Sequence, residues 1–282
     1  MSAQSPGAPR WWALSIIAIS LTALLVCAMP ARAQGLKRLH DTARALALGP
    51  VPALAALRAR CGADMLCAAR VIAASIGPRA RLERVIHPGT DTIRRVRNRA
   101  SVTRVIRRAP GVLRIRLDHF GRRAGAELLT AMARAGEPPV TLEIDLRGNG
   151  GGDLRRMLRA AALFAGPVKD ALRLRMKSAT RSLSLPAPRE RITAEKLIVL
   201  TGPRTASSAE VFAAILRVHL GARIIGARTW GKNWLLSAIP VNNDWRLLVP
   251  SAIMRVPGAR LDGGLVPDAV MKEEEGGAAG VN

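Results

Sequence analysis

The chain has 282 residues, 49% of them hydrophobic, and its 44 Lys and Arg against 20 Asp and Glu give a formal net charge of +24 at pH 7. This length suffices for one sizeable hydrophobic core and a small accessory unit. Such a charge raises nucleic-acid binding as a hypothesis, but the arginines are spread along the chain without an aromatic stacking platform, so we predict no nucleic-acid partner. We expect the charge instead to attract acidic substrates or anionic membrane surfaces.

Residues 1–33 have the pattern of a secretory signal peptide. Arg10 precedes an apolar run from Trp11 to Met29, and Ala31-Arg32-Ala33 then supplies a small-x-small cleavage site. Because about 20 apolar residues can span a bilayer, the alternative is that this run remains as an N-terminal membrane anchor. We favour cleavage, which predicts an exported protein that is periplasmic or secreted.

Residues 35–85 are predicted to form a small helical unit, with helices over Leu54 to Arg60 and Ala63 to Ile76. Once the leader is removed, Cys61 and Cys67 are the only cysteines left, and an even pair in an exported protein indicates a disulfide. Two unpaired buried thiols are the alternative. The chain has no second cysteine pair and its four histidines lack ligand spacing, so we predict no metal and no cofactor.

After this unit, the pattern predicts a basic connector, a core and a tail. The connector covers residues 86–111, the core covers 112–271, and a flexible acidic and glycine-rich tail covers 272–282. Strands and helices alternate in the core, which predicts a largely parallel sheet to which the later strands add an antiparallel part. The predicted core strands are Val112 to Leu117, Thr141 to Leu146, Leu172 to Met176, Leu197 to Leu200, Arg223 to Ile225, Leu235 to Ile239 and Arg246 to Val249, and the predicted core helices are Arg122 to Ala135, Leu154 to Phe164 and Ser208 to Leu220.

A glycine-rich turn follows the predicted strand that ends at Leu146. It contains Gly148, Gly150, Gly151 and Gly152. Glycines allow positive φ angles and let a substrate approach backbone amides closely, as an oxyanion hole requires. A phosphate-binding loop is a weaker interpretation, because no Lys-Ser or Lys-Thr follows the glycines and the GxGxxG spacing is absent.

Ser207 lies at a second strand-to-helix turn, within the segment from Thr205 to Val211. The free amides of the following helical turn can bind an anion there, although a simple helix N-cap is the alternative role for this serine. A serine nucleophile needs a positioned base, and Lys232 lies between Trp230 and Trp234, whose apolar rings disfavour a protonated amine. The alternative for Lys232 is an ordinary strand-edge lysine that makes cation–π contacts.

Together these segments resemble the C-terminal-processing, or tail-specific, serine peptidases. The resemblance covers roughly Val112 to Val270 and is carried by four motifs in the family's order. They are Asp145 to Gly152 for Asp-Leu-Arg-x-Asn-x-Gly-Gly, Thr205 to Glu210 for Thr-Ala-Ser-x-x-Glu, Thr229 to Lys232 for Thr-x-Gly-Lys, and Gly264 to Asp268 for Gly-x-x-Pro-Asp.

The resemblance implies a role for each matching residue. It makes Ser207 the nucleophile and Lys232 its general base. Glu210 corresponds to an acidic residue that orients or supports this dyad, and the amides of Gly151 and Ser208 correspond to the oxyanion hole.

One position departs from the family pattern. Many members carry a glutamine four residues after the lysine, where it holds the ammonium group, whereas this chain has Leu236 there. Either Glu210 alone orients Lys232, or the dyad is misaligned.

The resemblance also implies an α/β fold, a crotonase- or caseinolytic-protease-like spiral of βαβ units, here with the small N-terminal helical unit. Many members insert a PDZ domain, and the sequence before Val112 is too short for both that domain and the helical unit. The predicted function is an exported serine endopeptidase that cleaves unfolded or C-terminal segments of envelope proteins, with the peptide added as a strand at a sheet edge. The alternative is a catalytically impaired member of the same fold that binds peptides or lipids.

Overall fold

The computed structural model describes residues 31–85 and 99–271. The predicted tail and all but the last three residues of the predicted signal peptide lie outside the described residues. The described part is a mixed α/β structure. Its helices are α1 (Ala31–Leu46), α2 (Leu54–Cys61), α3 (Met65–Ile76), α4 (Ala124–Ala135), α5 (Leu154–Ala165) and α6 (Ser208–Leu220), and its strands are β1 (Arg81–Arg84), β2 (Val102–Ala109), β3 (Val112–Leu117), β4 (Thr141–Asp145), β5 (Val168–Arg175), β6 (Thr180–Leu185), β7 (Lys196–Thr201), β8 (Arg223–Gly226), β9 (Trp234–Pro240) and β10 (Trp245–Arg255).

A five-stranded sheet of order β2-β3-β4-β7-β8 carries the glycine-rich turn and Ser207. Strands β3, β4, β7 and β8 are parallel, as expected for βαβ crossovers, and β2 is antiparallel at the edge. One row across the sheet consists of Ile115, Ile144, Val199 and Ile224, which are fully buried. The carboxyl ends of β4 and β7 lie side by side, so the turns that follow them meet at one sheet edge.

The later strands form a second sheet rather than an extension of the first. This sheet has the order β1-β10-β5-β6, with β9 also paired to β10, and all its pairs are antiparallel. The prediction of one mixed sheet is therefore corrected, because β5 and β6 form a hairpin after α5, and β5 pairs with β10 instead of joining β4 or β7.

The main hydrophobic core lies among helices α4, α5 and α6 and both sheets. The three phenylalanines of the chain meet there, with ring centroids 5.1 Å apart for Phe120 and Phe212 and 5.8 Å apart for Phe164 and Phe212. Helix α6 is buried continuously from Ser208 to Leu216. The helix that begins immediately after Ser207 is thus held on all sides by the core.

The N-terminal unit packs on the antiparallel sheet and has its own hydrophobic cluster. Leu36, Leu39, Leu57 and Ile72 from α1 to α3 pack with apolar residues of β9 and β10 such as Leu247. A disulfide joins Cys61 at the end of α2 to Cys67 in the first turn of α3. The unit is not purely helical, because residues 81–84 form β1 and pair with β10.

The prediction of a connector over residues 86–111 is wrong for its second half. Val102–Ala109 form the edge strand β2, which a tight turn at Gly111 (φ 71°) joins to β3. Arginines exposed on this edge strand account for the error, because their charge resembles that of a solvated connector. Residues 86–98 lie outside the described part. Among the helices that are described, none is long and apolar enough to cross a bilayer.

Candidate active site

Ser207 occupies a strained turn between β7 and α6. Its φ and ψ angles are 58° and −123°, and among the described residues only Asp170 is another non-glycine with positive φ. A non-glycine residue in such a region costs about 1–3 kcal/mol and persists where the surrounding structure enforces it. The turn leaves the serine half-buried at the sheet edge, directly before the amides of a buried helix. This is the presentation that a serine nucleophile requires.

The buried carboxylate of Glu210 lies one helical turn after Ser207 and joins it to the segment that contains Lys232. One carboxylate oxygen, Oε2, accepts from the backbone amides of Ser207 and Lys232, at 2.8 Å each. The other, Oε1, accepts from the Thr229 hydroxyl at 2.5 Å and from the Gly231 amide at 2.7 Å. Four donors therefore satisfy a carboxylate that is fully removed from solvent.

These bonds fix the backbone of Lys232 but not its amine. Among the described residues, the Lys232 Nζ atom makes no hydrogen bond or ion pair, to the Ser207 hydroxyl or to any other group. Leu236, four residues further on, lies in β9 opposite Pro250 and offers no polar group. Glu210 thus orients the loop that carries the lysine, and the Lys232 residue lines a neighbouring cavity.

The glycine-rich turn after β4 packs directly against Ser207. A Cβ atom on Gly151 (φ 109°) would lie 3.0 Å from the Ser207 Cβ and 3.2 Å from the Ser208 nitrogen, so a side chain there would be crowded and strained. The Ser208 hydroxyl donates to the Gly152 carbonyl oxygen at 3.1 Å. The two turns therefore form one continuous surface beside the serine hydroxyl.

The amides predicted for the oxyanion hole differ in their partners. The Gly151 amide donates to the buried Asn149 Oδ1 at 2.8 Å, and the Asn149 amide group in turn donates to the Leu117 carbonyl at 2.9 Å. The Ser208 amide makes no hydrogen bond within the described part of the chain. Of the two predicted amides, that of Ser208 is therefore free of a partner within the described chain, whereas that of Gly151 is occupied by Asn149.

Hydrogen bonds of two threonine hydroxyls connect the sequence motifs to one another. The Thr205 hydroxyl donates to the Leu146 carbonyl at 2.7 Å, which ties the serine turn to the end of β4. The Thr229 hydroxyl, which donates to Glu210, also accepts from the Leu265 amide at 2.7 Å. Each threonine thus joins one segment of the candidate site to another part of the chain.

The closing Pro-Asp element holds β8. The Asp268 carboxylate accepts from the Ile224 amide at 2.7 Å and from the Arg217 guanidinium at 2.8 Å. This places the last of the four sequence motifs on the strand that follows α6. Its contacts support the fold of the site and do not reach the serine.

At the end of β4, Asp145 binds Arg147. Burial raises the pKa of the Asp145 carboxyl, but hydrogen bonds from the Arg147 side chain and amide, with the arginine charge, outweigh this and hold the pKa below its ordinary value. The carboxylate is therefore ionised and fixed two residues before the glycine-rich turn begins.

The structure brings Ser207, Ser208, Glu210, Gly151 and the Lys232 backbone together at one sheet edge. Sequence reasoning missed the roles of Asn149, Thr205 and Thr229, although all three belong to the quoted motifs. Small polar residues beside glycine turns could have indicated them, because buried backbone groups in such turns need side-chain partners. Among the described residues, no group of three or more His, Cys, Asp or Glu side chains could hold a metal ion.

A serine at a strained strand-to-helix turn, a lysine segment held beside it and a glycine turn against both define the class of hydrolase that uses a serine nucleophile. The chain belongs to peptidase family S41, whose family model matches residues 111–271.

Three similar proteins place this assignment in context. The chain is 32% identical over 95 residues to the carboxy-terminal processing protease CtpA of Bacillus subtilis, which covers 34% of this chain and 20% of that protein. It is 27% identical over 158 residues to the chloroplastic carboxyl-terminal-processing peptidase 1 of Arabidopsis thaliana, which covers 55% of this chain and 32% of that protein. The chain thus spans only about a fifth to a third of these relatives. A lipoprotein from Streptococcus agalactiae shares the fold, with a TM-score of 0.64 at 15% identity over 87% of this chain and 93% of that one.

Proposed function

We propose that this chain is an exported serine endopeptidase in which Ser207 is the nucleophile and Lys232 the general base. The observation that carries the proposal is the Glu210 carboxylate, which accepts hydrogen bonds from the backbone amides of both residues and so holds their segments together. Its substrates are unfolded or C-terminal segments of envelope proteins. The names of the carboxy-terminal processing relatives support this substrate class.

In the proposed reaction, the Ser207 oxygen attacks the scissile carbonyl carbon while its proton moves to the Lys232 amine. The tetrahedral intermediate collapses to an acyl-enzyme, and the leaving amine takes the proton from Lys232. Water then attacks the ester, again with Lys232 as the base, and releases the acid product and the free serine hydroxyl. For the first step the amine must rotate within its cavity towards the serine.

The oxyanion of each intermediate needs donors directed at it. The Ser208 amide is open and serves as the first donor. The Gly151 amide can serve as the second only if it exchanges its bond to Asn149 Oδ1 for one to the substrate oxygen. We propose that this exchange accompanies substrate binding.

The substrate peptide is proposed to bind as an added strand. Within the described residues, β9 pairs on one side only, with β10, and it begins two residues after Lys232. A sheet edge at this place supplies backbone hydrogen bonds that are independent of side chains, which suits cleavage of unfolded segments.

Export and domain organisation complete the proposal. The leader over residues 1–33 would direct export to the periplasm or medium, and the Cys61–Cys67 disulfide is consistent with an oxidising compartment. The peptidase core would extend over 112–271, with residues 35–85 as an accessory unit.

The test is cleavage of an unfolded protein by the parent and by Ser207→Ala and Lys232→Ala. We expect both variants to lose at least about a thousandfold in rate, because removal of a nucleophile or its base abolishes the covalent route. Lys196→Ala is the matched control, since Lys196 is exposed at the start of β7. Equal activity in all four proteins would reject the assignment, and absence of any activity with retained peptide binding would favour the impaired binding protein.

A further inference from the structure

A cavity of about 360 Å³ lies beside the candidate nucleophile. Its lining includes Ala206, which precedes Ser207, Gly150 of the glycine-rich turn, and Lys232. The N-terminal unit contributes Arg79 and Arg81 to the lining, from the loop after α3 and the start of β1. The accessory unit therefore contributes directly to the space next to Ser207.

The cavity is lined by positive charge without a compensating acid. Arg79, Arg81 and Arg204 contribute three guanidinium groups, and no Asp or Glu is among the lining residues. Within the described part of the chain, none of these three makes a hydrogen bond or an ion pair. Arg79 instead stacks over the Trp234 ring, 4.4 Å from its centroid.

Some other arginines of the described chain are neutralised by an acid, whereas these three gather around one cavity without one. Arg114 binds Glu143 and Arg217 binds Asp268. Unpaired guanidiniums around an open cavity favour an anion that arrives from outside, and their fork geometry matches a carboxylate. Trp230 at the same cavity is 66% exposed and offers an apolar ring beside the charges. Charge and ring together fit a peptide rather than an inorganic ion.

We propose that Arg79, Arg81 and Arg204 form a carboxylate-binding subsite that selects peptides carrying a carboxylate within a few residues of the scissile bond. The carboxylate is either an Asp or Glu side chain or the free C-terminus. This proposal rests on the proposed peptidase function, because the subsite would select substrates for cleavage. Binding to the cavity can nevertheless be measured without catalysis.

The experiment uses fluorescein-labelled peptides that share one sequence and differ only in charge. The first has no acidic residue and an amidated C-terminus, the second has one Glu with an amidated C-terminus, and the third has no acidic residue and a free C-terminus. Their dissociation constants are measured by anisotropy with the full chain carrying Ser207→Ala, so that no peptide is cleaved. Arg81→Gln and Arg204→Gln are then added singly, and Arg60→Gln, an exposed arginine of α2 outside the cavity, is the matched control.

We expect at least one carboxylate peptide to bind about tenfold more tightly than the neutral peptide, with a preference that weakens as salt is raised. Arg81→Gln and Arg204→Gln should each reduce that preference at least threefold, whereas Arg60→Gln should leave it intact. The second and third peptides identify the source of the carboxylate. Equal binding of all three peptides, or a preference that survives both cavity variants, would overturn the subsite.

Failure of the subsite and failure of the peptidase function are distinguishable. Cleavage of the neutral peptide by the parent without a carboxylate preference in binding rejects the subsite alone. A carboxylate preference in binding without any cleavage by the parent supports the subsite and rejects the catalytic assignment.

Discussion

At the residue scale, Glu210 accepts hydrogen bonds from the amides of Ser207 and Lys232. Holding both segments therefore requires an ionised carboxylate, which has two acceptor oxygens, and not merely a side chain of this size. The motif resemblance suggested that an acid at this position could orient the lysine amine directly. The structure shows contacts to three backbone amides and the Thr229 hydroxyl instead. A sequence identifies the acid but cannot show which atoms it reaches, because that depends on how two distant segments pack.

We expect Glu210→Gln to lower the rate of cleavage by at least about tenfold and to destabilise the fold by about 1–3 kcal/mol. A glutamine presents an NH₂ group to buried donors and leaves at least one of them without an acceptor. Glu195→Gln, at an exposed position, is the control. Because a stability loss alone could lower activity, cleavage and the labelling of Ser207 by a fluorophosphonate probe are measured well below the unfolding temperature of each variant. Unchanged labelling and cleavage in Glu210→Gln would contradict the positioning role.

A second residue-scale prediction concerns the close contact of Gly151 with the serine turn. Gly151→Ala should reduce cleavage strongly, because the added Cβ would lie 3.0 Å from the Ser207 Cβ. Gly136→Ala is the matched control, since Gly136 also has a positive φ angle (76°) but its added Cβ meets nothing within 4 Å. Both variants should lose about 1–3 kcal/mol of stability from backbone strain. Only Gly151→Ala should lose more cleavage activity than its loss of stability explains. Equal loss of activity in both would contradict the proposed contact.

At the element scale, helices and strands with a regular spacing of apolar residues were predictable from the sequence, whereas strands at sheet edges were not. Strand β3 and helix α6 have the predicted bounds, Val112–Leu117 and Ser208–Leu220, because their apolar spacing is clear and α6 begins after a distinct turn. Strands β1, β2 and β6 were missed because polar residues interrupt their apolar pattern, mainly arginines in β1 and β2 and Thr, Ser and Arg in β6. Their strand geometry comes from pairing with neighbours, which is information that one segment does not contain.

Strand β4 ends at Asp145, whose ion pair with Arg147 predicts a dependence of stability on pH. The pKa of this carboxyl in the folded protein lies below the ordinary value of 3.8, which the unfolded chain retains. Its contribution to stability is therefore present at neutral pH and is lost as the pH falls through the folded-state pKa. Asp145→Asn should lower the unfolding free energy at pH 7 and reduce the difference between pH 7 and pH 3, measured by urea denaturation. An unchanged pH difference would contradict the assignment.

At the scale of the whole molecule, the N-terminal unit is part of the candidate site as well as an accessory core. Its helices cover one face of the antiparallel sheet, and the loop that follows them lines the cavity beside Lys232. Its helical content was predictable, but its docking onto β9 and β10 was not, because the partner residues lie more than 150 positions further along the chain.

The disulfide of this unit gives a prediction for the whole molecule. Replacing Cys61 and Cys67 together by serine should lower the unfolding free energy by about 2 kcal/mol, as expected when a loop of this length is no longer closed in the unfolded chain. A reductant should destabilise the parent by a similar amount and leave the double variant unchanged. If reductant has no effect on the parent, the bond does not contribute to stability.

The central claim is that Ser207 is an activated nucleophile that depends on Lys232. The most direct measurement is covalent labelling by a fluorophosphonate probe, with the modified residue located by peptide mass spectrometry. The account predicts a single adduct on Ser207 in the parent and in the exposed-lysine control Lys196→Ala, and at least about a hundredfold slower labelling in Lys232→Ala. Labelling of Ser207 at the same rate in Lys232→Ala, or no adduct on Ser207 in the parent across pH 6 to 10, would contradict it.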